Sequence, residues 1–169
     1  MKAINQQDVK FMLARPEVGG QSLQRRCFVV SSFRNRDQVQ EAVGRLRAAH
    51  LFTYDFTLAE FTFGETAWNS TPYEDAQSHP EISSAARSDL TLLQSLGAPD
   101  FVLLVLPAGF SAGWETGYAA ARGAHIVVCT QDSAQRDVPL LHSARFLSSL
   151  DECITYIIDA ARPQLDEAL

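Results

Sequence analysis

The sequence predicts a flavodoxin-like α/β fold: a doubly wound sheet of five parallel strands in the order 2-1-3-4-5, with helices on both faces. Three observations carry that prediction. The run 101–106 is wholly apolar and 126–128 repeats its character; both are rich in branched residues and bounded by Pro or Gly, as suits strands buried on both faces. Strand-like runs alternate with helix-period stretches five times, which is the pattern of parallel sheets wound by crossover helices. The 169 residues are one domain's worth, enough to bury roughly two-thirds of the unfolded surface.

Residues 1–26 stand outside the alternation and are read as an N-terminal extension, with residues 27–169 as the α/β domain. Within the extension, residues 8–14 could make two helical turns before Pro16, residues 19–22 read as linker, and Arg25 and Arg26 as a solvated flank. The first strand is residues 27–31. It runs into Ser32, Phe33, Arg34, Asn35, Arg36 and Asp37, after which Val39, Ala42, Val43, Leu46 and Ala49 recur at helical spacing, with Asn35 or Asp37 as the cap.

The loop offers two hydroxyls, two guanidinium groups and the amides of a helix N-terminus. It reads equally as a cradle for a phosphate or carboxylate and as an ordinary polar turn. A second strand covers residues 51–56, with Tyr54, Asp55 and Phe56 at its carboxyl end. Residues 57–83 have little periodicity but carry Phe61, Phe63, Trp68 and Tyr73; a connection so long is a lid over a planar ligand or the packing of a satellite helix.

Ser83 or Ser84 caps a helix over residues 85–96 with Leu90, Leu93 and Leu96 on its apolar side and Asp89 within it. The third strand follows. Pro107, Gly109 and Gly113 then break the chain before a helix that stops at Gly123 and carries Glu115 in its first turn, at the carboxyl edge of the sheet. Taken alone, Glu115 is as well read as a charge complementing the helix dipole as a catalytic carboxylate. The remaining elements are a strand at 125–129, a polar connector at 130–137, a short strand near 145–147 and a final helix. Ser149 and Glu152 form its capping box, and Leu150, Ile154, Ile157 and Ile158 its apolar face.

Composition excludes several classes. A net charge of −6 opposes a nucleic-acid polymer as partner. No stretch approaches the roughly 20 apolar residues of a membrane span, and the N-terminus has no apolar signal core, so a cytoplasmic location is expected. Cys27, Cys129 and Cys153 read as reduced core thiols. The four histidines show no ligand spacing with one another or with the cysteines, and neither a metal nor a cofactor is expected.

The residues from about 27 to 160 resemble the nucleoside 2-deoxyribosyltransferase superfamily, which includes the 2-deoxynucleoside 5-phosphate N-hydrolases. Four features carry the resemblance: the loop Ser31-Ser32-Phe33-Arg34; Asp89 in the helix before the third strand; Ala98-Pro99-Asp100 entering that strand; and the block from Ser111 to Ala119 with its Glu-x-Gly-x-Ala pattern. The resemblance implies cleavage of an N-glycosidic bond in a nucleotide or nucleoside, with Glu115 as nucleophile and Asp89 orienting the ribose or protonating the leaving base. It implies a homodimer or larger homo-oligomer. Ser31, Ser32, Phe33, Arg34, Asp55, Gly109, Ser111 and Gly113 form the expected substrate-binding set. The transferases carry a further acid before the nucleophile, whereas nothing between Asp100 and Glu115 is acidic here, which leaves room for an anionic group near Ser111 and Arg34. Alternative readings are an NAD-type dinucleotide glycohydrolase resembling the TIR-type enzymes, a non-catalytic nucleotide sensor, and, least supported, a flavin module.

Overall fold

The computed structural model describes residues 17–18, 21–22, 25–58, 72, 75, 80–131 and 144–166. Its sheet is built from β1 (Arg26–Val30), β2 (Phe52–Tyr54), β3 (Phe101–Val105), β4 (His125–Cys129) and β5 (Ala144–Leu147). Every pairing is parallel and the order is β2-β1-β3-β4-β5, the predicted flavodoxin-like arrangement. The helices are α1 (Arg36–Ala48), α2 (Pro80–Ser95), α3 (Phe110–Ala121) and α4 (Leu150–Asp166).

Alternation along the strands sorts the core into two layers, because successive side chains leave a strand on opposite faces. Cys27, Val29, Leu103, Val105 and Val127 point to one face, where α1 supplies Val39, Ala42, Val43 and Leu46 and α4 supplies Cys153, Ile154 and Ile157. Phe28, Val30, Tyr54, Val102, Leu104 and Val128 point to the other, where α2 supplies Leu92, Leu93 and Leu96 and α3 supplies Ala112 and Ala119. The two acids singled out in the sequence therefore ride on helices that share one face of the sheet. All three cysteines are buried and free.

Several expectations are corrected. Arg26 belongs to β1 and is only 6% exposed, because it forms a buried ion pair of 2.7 Å with Asp100; it is not a solvated flank. Arg25 is half-buried, donating from Nη1 to the Ala160 carbonyl at 2.8 Å. Gln21 and Ser22, read as linker, pair antiparallel with Val18 and Glu17. On α2 the buried stripe is Leu92, Leu93 and Leu96, whereas Leu90 is 36% exposed. Asp89 explains the shift: residues 89, 92, 93 and 96 follow the spacing of one helical face, so turning Asp89 toward the sheet edge turns Leu90 away.

The helix itself begins at Pro80, ahead of the expected serine cap, with proline preset for a first turn. Ser149 does cap α4, accepting from the Glu152 amide at 3.2 Å, but the Glu152 carboxylate reaches back to the amide and hydroxyl of Ser148 instead of to Ser149. Residues 8–14, the aromatic segment 59–71 and the connector from 132 lie outside the described residues.

The loops after β1 and β3 meet, as the strand order requires. Ser31 Oγ donates to the Val105 carbonyl at 2.7 Å, and Asn35 Nδ2 donates to Ser31 Oγ at 2.9 Å and to the Pro107 carbonyl at 2.7 Å. Asn35 stands at the N-cap of α1 but makes no side-chain cap bond; its amide is spent across the loops. Asn35→Ala is expected to cost about 1–2 kcal/mol, since it leaves a carbonyl and a hydroxyl short of a donor. A urea midpoint shift at unchanged slope checks this.

Candidate active site

The site forms where β2 ends and where α2 and α3 cross the carboxyl edge of the sheet. Tyr54, the last residue of β2, is held in register against Phe28 and stacks on it with centroids 5.7 Å apart and planes at 10°. From there its hydroxyl lies near enough to the Asp89 carboxylate of α2 for each to act on the other's ionisation. Glu115 enters from α3 and is close enough for the charge of Asp89 to act on it. Both carboxyl residues are half-buried.

Burial sets the chemistry of this trio. It pushes the Asp89 carboxyl up to about 6, against the pull of the nearby Tyr54 hydroxyl. Glu115 is pushed up to about 7, first by burial and then by the Asp89 charge. Tyr54 moves upward as well, through burial and then the neighbouring Asp89, so it remains a protonated donor. Near neutral pH the two carboxyls thus hold about one proton between them, the condition in which one can act as acid and the other as base.

Here the structure corrects the expected placement of Glu115. The first turn of α3 holds no acid, and Glu115 lies one turn further in. Helix-dipole stabilisation fades within the first turn, so it does not favour the ionised form; burial wins and favours the protonated one.

The expected binding residues divide into two groups. Ser31, Ser32 and Asp55 have structural partners: Ser31 braces the two loops; Ser32 Oγ accepts from the Arg34 amide at 3.3 Å; and Asp55, buried, accepts from the Thr57 amide at 2.9 Å and hydroxyl at 2.6 Å, locking the turn after β2. The others remain open. Phe33 is 42% exposed and meets Phe56 edge-on. Arg34 and Ser111 are exposed and their side chains pair with none of the described residues. A Cβ added at Gly109 or Gly113 would meet nothing within 4 Å, so a ligand can approach the backbone there. Gly109 caps α3 without a side-chain bond, leaving first-turn amides available. On the outer side of α3, exposed Trp114 stacks on Tyr118.

Sequence reasoning missed Tyr54 as a member of the site. Its one signal was a hydroxyl-bearing aromatic at a strand's carboxyl end, which reads equally well as core. Among the described residues, no group of three or more His, Cys, Asp or Glu could hold a metal, and no helix is long and apolar enough to cross a membrane.

The raised carboxyls also tilt stability with pH. Glu115 goes from 4.5 to about 7 on folding, so the folded chain binds more protons than the unfolded one in that window, and stability falls as pH rises through it. Glu115→Gln is therefore expected to be more stable than the native chain at pH 8, by about 1–3 kcal/mol, and to lose that advantage by pH 4.5. Thermal melts at the two pH values check the sign. A comparison of the chain with protein-family models, curated proteins and solved structures finds no match.

Proposed function

We propose that this protein cleaves the N-glycosidic bond of a nucleotide or nucleoside, with Glu115 as nucleophile and Asp89 as the acid for the leaving base. The observation that carries the reading is the pairing of Asp89 and Glu115 from consecutive helices in one half-buried site, with both carboxyls raised toward neutral pH. Ionised Glu115 attacks the anomeric carbon as the bond from that carbon to the base nitrogen breaks; the base leaves with the bonding electrons and takes a proton from Asp89. Water or a second base then attacks the glycosyl ester and restores the Glu115 carboxylate. Two carboxyls dividing one displacement into two is the logic of retaining glycosidases. The resemblance to the nucleoside 2-deoxyribosyltransferase superfamily supports the same roles.

A nucleotide fits the site better than a nucleoside. Its 5′ anion would be received by Arg34, Ser111 and the first-turn amides of α3, where no acid repels it. The exposed rings of Phe110 and Trp114 on α3 support assembly with further copies of the chain. The test is to incubate the native protein and Glu115→Ala with nucleosides, 5′-monophosphates and NAD, and to follow free base. Release by the native protein alone supports the reading. Release by both alike, or by neither, counts against it, and release from NAD alone would favour a dinucleotide glycohydrolase.

A further inference from the structure

Asn35 stands where a helix cap is expected, and its side chain caps nothing. Residues 33–35 form a tight 3₁₀ turn, closed by the Asn35 amide donating to the Ser32 carbonyl at 2.9 Å, and from that fixed base the side chain crosses to the loop after β3. Its Nδ2 lies 2.9 Å from Ser31 Oγ and 2.7 Å from the Pro107 carbonyl, with the Val105 carbonyl further off at 3.5 Å. An amide nitrogen carries two hydrogens, so both close acceptors are served. Ser31 spends its own hydrogen on Val105, and the carbonyls can only accept, so a carboxylate of the same shape could not replace this amide. The other loop is anchored as well: Leu106 donates to the Cys129 carbonyl at 3.0 Å, tying the chain just before Pro107 to β4.

We propose that Asn35 is the positioning residue that sets the spacing between the loops after β1 and β3, and that this spacing gives the site its preference for a 5′-phosphorylated ligand. Arg34 directly precedes Asn35, while Gly109 and Ser111 follow Pro107 by two and four residues. The bond from Asn35 to Pro107 therefore links the chain on either side of the groups that would receive the anion. A phosphate held by Arg34 from one loop, and by Ser111 and the open backbone at Gly109 from the other, must span both. A bond that fixes their separation before the ligand arrives leaves less ordering to be done on binding. A nucleoside lacks the group that spans the loops and gains little from the bond. α1 forgoes a side-chain cap so that the bridge can form, a local rule broken where ligand geometry benefits. Asn35 touches no reacting atom and acts through Arg34 and Ser111. The inference rests on the proposed function for the class of ligand, but the effect of Asn35 can be measured by binding, without turnover.

The test uses the full chain with Asn35→Ala, which removes the donor, and Asn35→Asp, which keeps the shape but aims an acceptor at the two carbonyls. Base release from a nucleoside 5′-monophosphate and from the matching nucleoside gives kcat and KM for each protein, well below its melting temperature. Both variants should raise KM for the 5′-monophosphate about tenfold, with kcat and the nucleoside's KM within about twofold of native. A purely structural role would lower the amount of folded protein and change both substrates alike; that result, or native KM values in the folded variants, would overturn the inference. Binding of adenosine 5′-monophosphate, followed by NMR shifts, separates the inference from the proposed function. Weaker binding by the variants, without base release from any substrate, would uphold the role of Asn35 and defeat the N-glycosidase reading. Base release with KM unchanged in both variants would do the opposite, and equal binding by all three proteins, or binding by none, would overturn the role of Asn35. Should neither variant fold, adenosine 5′-monophosphate should slow solvent exchange of the Asn35 side-chain amide protons in the native protein, and unchanged exchange would overturn the inference.

Discussion

Glu115→Gln is expected to lower base release by about 10³–10⁵-fold while leaving the fold intact, an effect of about 4–7 kcal/mol on the reaction barrier. Gln keeps the side chain's volume and polarity but cannot form a glycosyl ester. No structural loss offsets this, because the buried charge it removes is itself unfavourable. The variant should therefore combine a higher melting temperature at pH 8 with near-complete loss of turnover. Asp89→Asn should cost less, about 10²–10⁴-fold, since it removes only assistance to the leaving base. In the native protein, the rate should depend on pH through a pair whose limbs lie near 6 and 7, the values to which burial raises the two carboxyls. Initial rates of base release across pH, with far-UV spectra for the variants, check these expectations together.

The largest effect on stability should come from the opposite edge of the sheet. Asp100→Ala is expected to cost about 3–5 kcal/mol, because it strands the Arg26 guanidinium in the core. Asp100 is 1% exposed and accepts from the Arg26 amide at 3.2 Å, from its Nε at 3.3 Å, from its Nη2 at 2.7 Å and from the Gly97 amide at 3.1 Å. Arg26 also donates from Nη1 to Ser95 Oγ at 2.7 Å, and from Nη2 to the Ser95 carbonyl, so the pair joins the start of β1 to the end of α2. Arg26→Met combined with Asp100→Ala should lose less than Asp100→Ala alone, since no unpaired charge is left behind. Urea midpoints of the single and double variants measure both. Base release per folded molecule should stay at the native level, as the pair lies at the amino edge and the site at the carboxyl edge.

Much of the fold was legible because its signals are local. The apolar runs at 101–106 and 126–128, Gly123 at φ +88 ending α3, and the Val39, Ala42, Val43 and Leu46 stripe each follow from neighbours in the chain. The meeting of Asp89 with Glu115 followed from strand order, which puts α2 and α3 on one face. What was not legible depends on partners far apart in sequence. Arg26 looks solvated until Asp100, 74 residues away, is seen to pair with it. Asn35 looks like a cap until Pro107 claims its amide. Tyr54 looks like core because the half of it that stacks on Phe28 is core, and only its hydroxyl belongs to the site. The position of Glu115 along α3 turned on a helix start set by Gly109, four residues before Gly113, and that difference reversed the cause acting on its carboxyl.

The measurement that tests the central claim most directly is mass spectrometry of the protein after reaction with a 2′-fluorinated nucleoside 5′-monophosphate, a substrate whose glycosyl ester forms faster than it breaks. The expected result is one equivalent of free base and one glycosyl group attached to the peptide containing Glu115. Base release with no adduct on Glu115, or an adduct on a different residue, would contradict the assignment of Glu115 as the nucleophile.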